Sequence, residues 1–355
     1  MMTRTRRPFC RVGFETRPCT SNLLRATFIF ALACAAGPAL AGDAADLAAA
    51  KKEGKVVWYT SVPVETAQKL ANLFQEKNGI AVELFRSGGS NILRRFQQEA
   101  QGGKAFADVL THSEPAAARV MARKGMFVAF KPADFDRVPN EAKDPDGYYV
   151  AQRLNVMAFY LRDDKVAAAD RPKAWTDLTG AKYAGKMVMA DPSFSSLLVA
   201  VVGMLAKDYG WDYFAKLRKN DILLVQGNQQ VSDMIKRGER AVAVGADAAY
   251  AAEAGKGGIA ISTLYPQDGA FLIPSPSAVV KGSPHPNAAK AFEEFLLGRD
   301  VQELLPREHI YSARTDVPGP EGNPRLDAIK LRPVDYDYIE AESARIKRRF
   351  GEIMQ

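Results

Sequence analysis

The chain has 355 residues and a formal net charge of +7 at pH 7, which is enough length for two domains of ordinary size. Most of this charge lies in residues 1–41, which hold six arginines and one glutamate, so the remaining chain has a net charge of only +2. That balance gives no support for nucleic-acid binding, and the presence of all three cysteines in the same segment excludes disulfides and thiolate metal sites from the rest.

Residues 1–41 have the pattern of a cleaved secretory signal. Arginines precede an apolar run over residues 26–36, and the small-x-small sequence Ala39-Leu40-Ala41 ends the segment. The apolar run is too short to span a bilayer. The pattern predicts a signal peptide over residues 1–41 and a periplasmic protein that begins at Gly42. A weaker alternative is a lipid anchor at Cys34.

Three strand-then-helix units follow the leader. Short apolar runs at residues 55–59, 80–85 and 108–111 predict strands, and apolar residues at helical spacing follow each run. Repeated units of this kind predict an α/β fold with a parallel sheet, whose ligands bind at the carboxyl ends of the strands. Each turn after a strand carries a serine that is predicted to line one rim of a binding site, with helix capping as the alternative. These serines are Ser61, Ser90 and Ser113.

The stretch over residues 186–196 predicts a second rim. Residues 186–190 predict a buried strand, and apolar residues from Leu197 onward predict a helix. Serines at a helix start cap free backbone N–H groups, and these N–H groups together with the helix dipole also form an anion site. We predict that the serines at this junction contact a ligand, with simple capping as the alternative. They are Ser193, Ser195 and Ser196.

The rest of the chain predicts two lobes. An alternating pattern over residues 152–160 predicts a long strand that crosses between lobes, and residues 271–280 are predicted to return. The first lobe is predicted to contain residues 42–152 with 275–355, and the second lobe residues 153–274.

Three further residues are predicted to face the cleft between these lobes. Arg153 lies early in the crossing strand and is a candidate partner for an anion, although a surface ion pair is the alternative. Asp247 and Tyr250 follow a predicted strand at residues 241–244, where capping and helix packing are the alternatives.

Five stretches, in order along the chain, carry a family resemblance. They are KVVWYTS at 55–61, ADV at 107–109, GKMVMADPS at 185–193, YPQDG at 265–269 and KGSPHPNAAKAF at 281–292. Together they resemble the extracellular solute-binding proteins of ABC importers, in the branch that contains the ferric-ion-binding proteins. The resemblance implies a two-lobed α/β fold of the periplasmic-binding-protein type II (Venus flytrap) class, with two hinge strands. It also implies a monomer that takes a small-molecule ligand to an inner-membrane ABC permease.

The chain departs from the ferric members at the expected metal ligands. Those members bind iron through two adjacent tyrosines, whereas residues 245–250 here contain only Tyr250. The position of their histidine falls near Pro63, while Glu114 lies near the position of their glutamate. We therefore predict a small anionic ligand, either an organic phosphate, a phosphonate or a carboxylate, with no metal and no cofactor. Iron(III) held by Asp247, Glu114 and Tyr250 stays open as an alternative, since ferric ions prefer hard anionic oxygens.

Catalysis is not expected. The chain has no Gly-x-Ser-x-Gly, His-Glu-x-x-His or phosphate-loop sequence, and no cysteine nucleophile beyond residue 41. A solute sensor that signals to a receptor kinase is a further alternative, because its ligand cleft has the same form as that of a transport protein.

Overall fold

The computed structural model describes residues 45–354, so the predicted signal peptide, its cleavage after Ala41 and the alternative anchor at Cys34 lie outside the described residues. The strands are β1 (Lys55–Thr60), β2 (Ala81–Arg86), β3 (Val109–Thr111), β4 (Val150–Arg162), β5 (Met187–Ala190), β6 (Leu223–Val225), β7 (Val242–Asp247), β8 (Ile261–Leu264), β9 (Ala270–Val279), β10 (Tyr311–Ser312) and β11 (Leu331–Arg332). The α-helices are α1 (Leu47–Glu53), α2 (Val64–Asn78), α3 (Gly89–Gln101), α4 (Pro115–Arg123), α5 (Ser196–Tyr209), α6 (Asp212–Lys219), α7 (Asn228–Arg237), α8 (Ala249–Gly255), α9 (Pro286–Leu297), α10 (Arg299–Arg307) and α11 (Tyr336–Met354). Short 3₁₀ helices span Phe135–Arg137, Asn140–Ala142, Ala168–Asp170, Trp175–Thr179, Ala181–Tyr183 and Leu326–Ala328.

The strands predicted from the apolar pattern are all present. Two strands and two helices were not predicted, namely β10, β11, α1 and α10. The two strands have only two residues each, too few to show an alternating pattern. Helix α10 contains Pro306. Proline has no backbone N–H to donate and is rare in the interior of helices, so the sequence pattern did not indicate a helix there.

One continuous sheet connects two parallel halves. Its strand order is β2-β1-β3-β9-β4-β7-β5-β6. The pairs β1–β2 and β1–β3 are parallel, as are β5–β6 and β5–β7. We call the half built on β1, β2 and β3 the first lobe, and the half built on β5, β6 and β7 the second lobe.

Two long antiparallel strands join these lobes. Strand β4 pairs with β9 from Val150 opposite Ser277 to Met157 opposite Phe271. Strand β9 also pairs with β3 of the first lobe, and β4 with β7 of the second lobe. The two crossing strands predicted from the sequence are therefore β4 and β9, and the carboxyl ends of the parallel strands face the region between the lobes.

Each lobe has its own aromatic core. In the first lobe, Phe292 packs edge-to-face on Trp58 with ring centroids 5.0 Å apart and on Phe74 at 4.9 Å. In the second lobe, Phe214 packs edge-to-face on Phe350 at 5.4 Å. No helix within residues 45–354 combines the length and the apolar character needed to cross a membrane.

The final helix packs against the second lobe, whereas the division based on the sequence placed it in the first. Ile339, Ile346 and Phe350 of α11 are buried in the core that contains α5 and α6. Gly203 of α5 permits this packing, because a Cβ atom there would lie 2.5 Å from Cδ1 of Ile339. The alternation of apolar and charged residues in α11 gives it one solvated face, but it carries no information about which lobe receives its apolar face.

Candidate functional site

A cavity of about 260 Å³ lies between the lobes, at the carboxyl ends of the parallel strands. Its walls come from both lobes and from β4. They are formed by Ser61, Pro63, Arg86, Ser87, Gly88, Gly89, Asn91, Ser113, Arg153, Phe194, Ser195, Ser196, Leu197, Gln226, Gly227, Asn228, Gln229, Gln230, Asp247 and Tyr250. Seven of the nine predicted site residues are in this set, since Ser90 and Ser193 are missing from it.

Arg153 supplies a buried positive charge at the base of the cavity. Its side chain is only 2% exposed, and its guanidinium donates to the hydroxyls of Ser61 at 3.4 Å and Ser113 at 3.2 Å. It has no carboxylate within ion-pair distance among residues 45–354. Burial lowers the pKa of Arg153 to about 10, an effect that nearby Asp247 opposes, so the guanidinium stays charged at neutral pH.

A chain of hydroxyl groups holds Ser113 in position beside Arg153. The Ser113 and Ser275 hydroxyl oxygens are 2.6 Å apart, and Asn155 donates to the Ser275 hydroxyl at 2.8 Å. Ser275 lies on β9 and Asn155 on β4. Residues of the two crossing strands therefore hold Ser113 in place on the cavity wall.

Arg86 brings a second guanidinium that the sequence did not reveal. It is the last residue of β2, and its Nε donates to the carbonyl of Val62 at 3.0 Å. One terminal nitrogen lies 3.4 Å from the hydroxyl of Tyr250, across the cavity in the second lobe. The available signal was a basic residue at the end of a strand, directly before the Gly/Ser loop at residues 87–90.

Four of the described helices have their N-cap residue on the cavity wall. They are α2, α3, α5 and α7, whose N-cap residues Pro63, Gly88, Ser195 and Gly227 all make no side-chain capping hydrogen bond. Helix starts without a side-chain cap present backbone N–H groups and the positive end of the helix dipole, a combination that attracts anions. In α3 one of these groups, the N–H of Ser90, is already used by the carbonyl of Phe194. The serines before α5 revealed this chemistry in the sequence, whereas residues 226–230 before and at the start of α7 carry glutamines, a glycine and an asparagine and gave no such signal.

Asp247 and Tyr250 lie on the wall of the second lobe. Asp247 ends β7 and is 5% exposed, and one of its carboxylate oxygens accepts the N–H of Ala249 at 3.2 Å. Burial raises the pKa of Asp247 to about 6, while the Ala249 N–H and the charge of Arg153 oppose this shift. Burial also raises the pKa of Tyr250.

Ser90 and Ser193 are not part of the cavity wall, Ser90 because of contacts with the second lobe and Ser193 because of a local turn. The Ser90 hydroxyl donates to the carbonyl of Pro192 at 3.1 Å, and its N–H donates to the carbonyl of Phe194 at 3.2 Å. Ser90 thus connects the first lobe to the second. The N–H of Ser193 donates to the Asp191 carboxylate at 2.7 Å, which closes a tight turn before the start of α5.

The structure separates the three residues considered for iron. Asp247 and Tyr250 line the cavity, but Glu114 is not part of its wall and instead accepts from the Ser343 hydroxyl of α11 at 3.2 Å. Within residues 45–354, no group of three or more His, Cys, Asp and Glu side chains is arranged to hold a metal ion.

A two-lobed α/β fold with a polar cavity between its lobes is the arrangement with which periplasmic binding proteins close around a ligand. The chain matches the family of bacterial extracellular solute-binding proteins over residues 104–342, which is more than half of its length, and it belongs to that family. The resemblance stated from the sequence is therefore confirmed.

Curated relatives cover most of the chain. A protein of Sinorhizobium fredii, named as a candidate periplasmic-binding protein of an ABC transporter, is 23% identical over 74% of this chain and 76% of its own length. The Fe(3+)-binding periplasmic protein of Serratia marcescens is 25% identical over 84% of this chain and 89% of its own. A Salmonella typhimurium protein, named as a candidate 2-aminoethylphosphonate-binding periplasmic protein, is 24% identical over 64% of this chain and 68% of its own.

Solved structures share the fold. The periplasmic binding protein AfuA of Actinobacillus pleuropneumoniae, with fructose-6-phosphate bound, has a TM-score of 0.77 at 21% identity and covers 85% of this chain and 98% of its own. Iron-bound HitA of Pseudomonas aeruginosa has a TM-score of 0.73 at 20% identity and covers 84% of this chain and 99% of its own. The predicted fold class is thus confirmed, and the relatives are binding proteins rather than enzymes.

Proposed function

We propose that this protein captures a small organic anion in the cleft between its lobes and delivers it to the inner-membrane permease of an ABC importer. The anionic group is a phosphate, a phosphonate or a carboxylate. The observation that carries the proposal is Arg153, a buried cation at the cavity wall with hydroxyl and amide partners but no carboxylate partner among the described residues.

The energetics of Arg153 favour an anionic ligand. A buried charge costs several kcal/mol of stability unless a charge of opposite sign is next to it. An anionic ligand would supply that opposite charge to Arg153 when it binds. Hydrogen bonds to a charged group contribute about 1.5–3 kcal/mol each, so the hydroxyls of Ser61, Ser113, Ser195 and Ser196 add to the same selectivity.

The cavity also limits the size of the ligand. Its volume of about 260 Å³ is below that of sites for drug-sized molecules, which are roughly 300–1,000 Å³. A phosphonate or a small sugar phosphate has a suitable size. The relatives named for 2-aminoethylphosphonate and solved with fructose-6-phosphate support this class.

Iron is the second candidate, because the Serratia and Pseudomonas relatives are named or solved as iron-binding proteins. Tyr250 is a single phenol here, and its hydroxyl lies beside the Arg86 guanidinium, whose positive charge opposes a trivalent cation. We therefore rank the organic anion above ferric iron.

The remaining features of the proposal concern location and assembly. The chain is exported after cleavage at Ala41 and acts in the periplasm as a monomer, binding its solute without converting it. We propose lobe bounds close to those expected from the sequence, with residues 336–354 moved to the second lobe because α11 packs there.

Mass spectrometry of the purified protein tests the proposed function. The periplasmic protein is incubated with extract from the same cells, washed and denatured, and the released small molecules are identified. A released solute with a phosphate, phosphonate or carboxylate group is expected. A neutral or purely cationic solute would refute the proposal, and a pink ferric complex whose colour disappears in Tyr250→Phe would establish the iron alternative.

A further inference from the structure

Asp247 is out of place in a site for a simple anion. Its carboxylate lines the same cavity as Arg153, Arg86 and the four helix starts, and it is almost completely buried. A negative charge in that position repels the charge of an anionic ligand at short range, where the low dielectric strengthens the repulsion. We therefore expect Asp247 to make a favourable contact with another part of the ligand, which offsets this repulsion.

Helix capping does not account for this carboxylate. Asp247 precedes Ala248, the N-cap residue of α8, and only one of its oxygens is used, by the N–H of Ala249 at 3.2 Å. Asparagine or serine would accept the same hydrogen bond without a charge. The other oxygen has no hydrogen-bond partner within residues 45–354. Arg153 influences Asp247 electrostatically, but no ion pair forms between them, nor between Asp247 and Arg86.

The surroundings of Asp247 are suited to binding a hydrogen-bond donor of a ligand. Its own N–H lies 3.4 Å from the side-chain oxygen of Asn228, a neighbour on the cavity wall. Gln226, Gln229 and Gln230 line the same wall of the second lobe. Amides and a carboxylate together can accept hydrogen bonds from a ligand, whereas the guanidiniums can only donate.

We infer that the ligand carries a hydrogen-bond donor, a hydroxyl or an ammonium group, in addition to its anionic group, and that Asp247 accepts from that donor. The inference rests on the proposed function and narrows it. The anionic end is held by the guanidiniums and helix starts, and the donor end by Asp247. An anion of the same size without a hydrogen-bond donor cannot make the contact with Asp247, and its negative charge is repelled by that carboxylate.

Calorimetry with matched pairs of ligands tests this inference on the full mature protein. Each pair shares an anionic group and differs in the donor: 2-aminoethylphosphonate with ethylphosphonate, glycerol 3-phosphate with propyl phosphate, and 4-aminobutyrate with butyrate. We expect the donor-bearing member of at least one pair to bind about tenfold to a hundredfold more tightly than its match.

Variants of Asp247 assign this preference to the carboxylate. Asp247→Asn retains the shape and the hydrogen bond with the N–H of Ala249, so the advantage of an ammonium ligand should fall by up to about a hundredfold. That of a hydroxyl ligand should fall by up to about tenfold, since a neutral amide still accepts from a hydroxyl. Donor-free members should bind Asp247→Asn as well as wild type or better. Asp212→Asn, on the exposed surface of the second lobe, is the control. Thermal unfolding of Asp247→Asn and Asp247→Ser checks that neither variant destabilises the fold.

The outcomes separate the two proposals. Equal binding of donor-bearing and donor-free members, or an equal loss for both in Asp247→Asn, overturns the inference and leaves anion binding intact. Failure of all six probes to bind to wild type overturns both the inference and the anion class on which it rests.

Discussion

The lobes contact each other beside the cleft and again between α4 and α11, and the two contacts are built differently. At the cleft, the N–H of Ser90 donates to the carbonyl of Phe194 at 3.2 Å, and Gly88 and Gly89 press against the turn before α5. Between the helices, Arg119 pairs with Asp337 at 2.8 Å and Arg123 pairs with Glu340.

The difference lies in how much change each contact tolerates. A Cβ atom at Gly89 would lie 2.0 Å from the Ser196 hydroxyl, and one at Gly88 would lie 2.6 Å from the carbonyl of Phe194. The helix contact also includes the hydrogen bond from Ser343 to Glu114, but its ion pairs join long, partly exposed side chains, and such pairs contribute about 0–1 kcal/mol each. We therefore expect closure around a ligand to be determined at the cleft, with the helix contact adapting to it.

A negative charge at the start of α5 should have the largest effect on the cleft. In Ser195→Asp a carboxylate faces the ligand's anionic group, and like charges at short range cost several kcal/mol, so affinity should fall by more than about a hundredfold. Ser195→Asn is the matched neutral variant and should lose about tenfold or less. Calorimetry with the released solute makes the measurement, and unchanged affinity of Ser195→Asp would mean that the anion does not bind at this helix start.

Glu293 allows the stability of the protein to be changed without altering either contact between the lobes. Its carboxyl is buried in the first lobe and accepts from the Ser277 hydroxyl at 2.8 Å, and burial raises its pKa from 4.5 to about 8. The folded state holds this proton more tightly than the unfolded state does. The stability from this group is therefore complete below about pH 4.5 and is lost as the pH rises through 8.

The glutamine variant of this residue removes that dependence. Glu293→Gln should gain stability relative to wild type by roughly 2–3 kcal/mol between pH 6 and pH 8, measured by urea unfolding at each pH. The solute affinity should not change. A constant difference between the two proteins across this range would show that Glu293 titrates normally.

A methyl group between the lobes tests the steric side of the comparison. Gly89→Ala should hold the cleft partly open and weaken solute binding by about tenfold, because added atoms in a packed contact cost about 1–3 kcal/mol. Gly255→Ala is the control, since a Cβ atom there would have only an ordinary 3.8 Å contact with Ile261. Small-angle X-ray scattering should show incomplete compaction of Gly89→Ala with solute, and full compaction would contradict the proposed role of Gly89.

The smallest effect is expected at the helix contact. Arg123→Gln removes the pair with Glu340, in which the arginine side chain is 57% exposed. Solute affinity should change by about twofold or less, because an exposed pair contributes less than about 1 kcal/mol. A tenfold change in affinity would mean that the contact between α4 and α11, rather than the contact beside the cleft, controls closure.

The sequence predicted those parts of the site that follow directly from strand ends. Ser61, Ser113, Ser195, Ser196 and Asp247 each follow or end a strand of the parallel halves and line the cavity, as the general rule for α/β sheets requires. Arg153 was identified by its place on the crossing strand. The periodicity of apolar residues located both crossing strands, because β4 and β9 are long.

Other features depend on tertiary contacts that no local pattern encodes. Ser90 looks like the other strand-end serines, yet the close approach of Gly88 and Gly89 to the second lobe turns its hydroxyl to Pro192. Arg86 enters the site because its guanidinium reaches across to Tyr250. The position of α11 depends on the missing side chain at Gly203, a single residue within an apolar helix.

The central claim is that a buried arginine binds the anionic group of the solute. The most direct measurement is calorimetric titration of Arg153→Gln with the released solute, alongside Arg171→Gln as the control. Arg171 pairs with Asp163 at 2.6 Å and does not line the cavity. The account predicts a loss of about a hundredfold or more for Arg153→Gln and wild-type affinity for the control, with both variants folded by circular dichroism. Wild-type affinity of Arg153→Gln would contradict it.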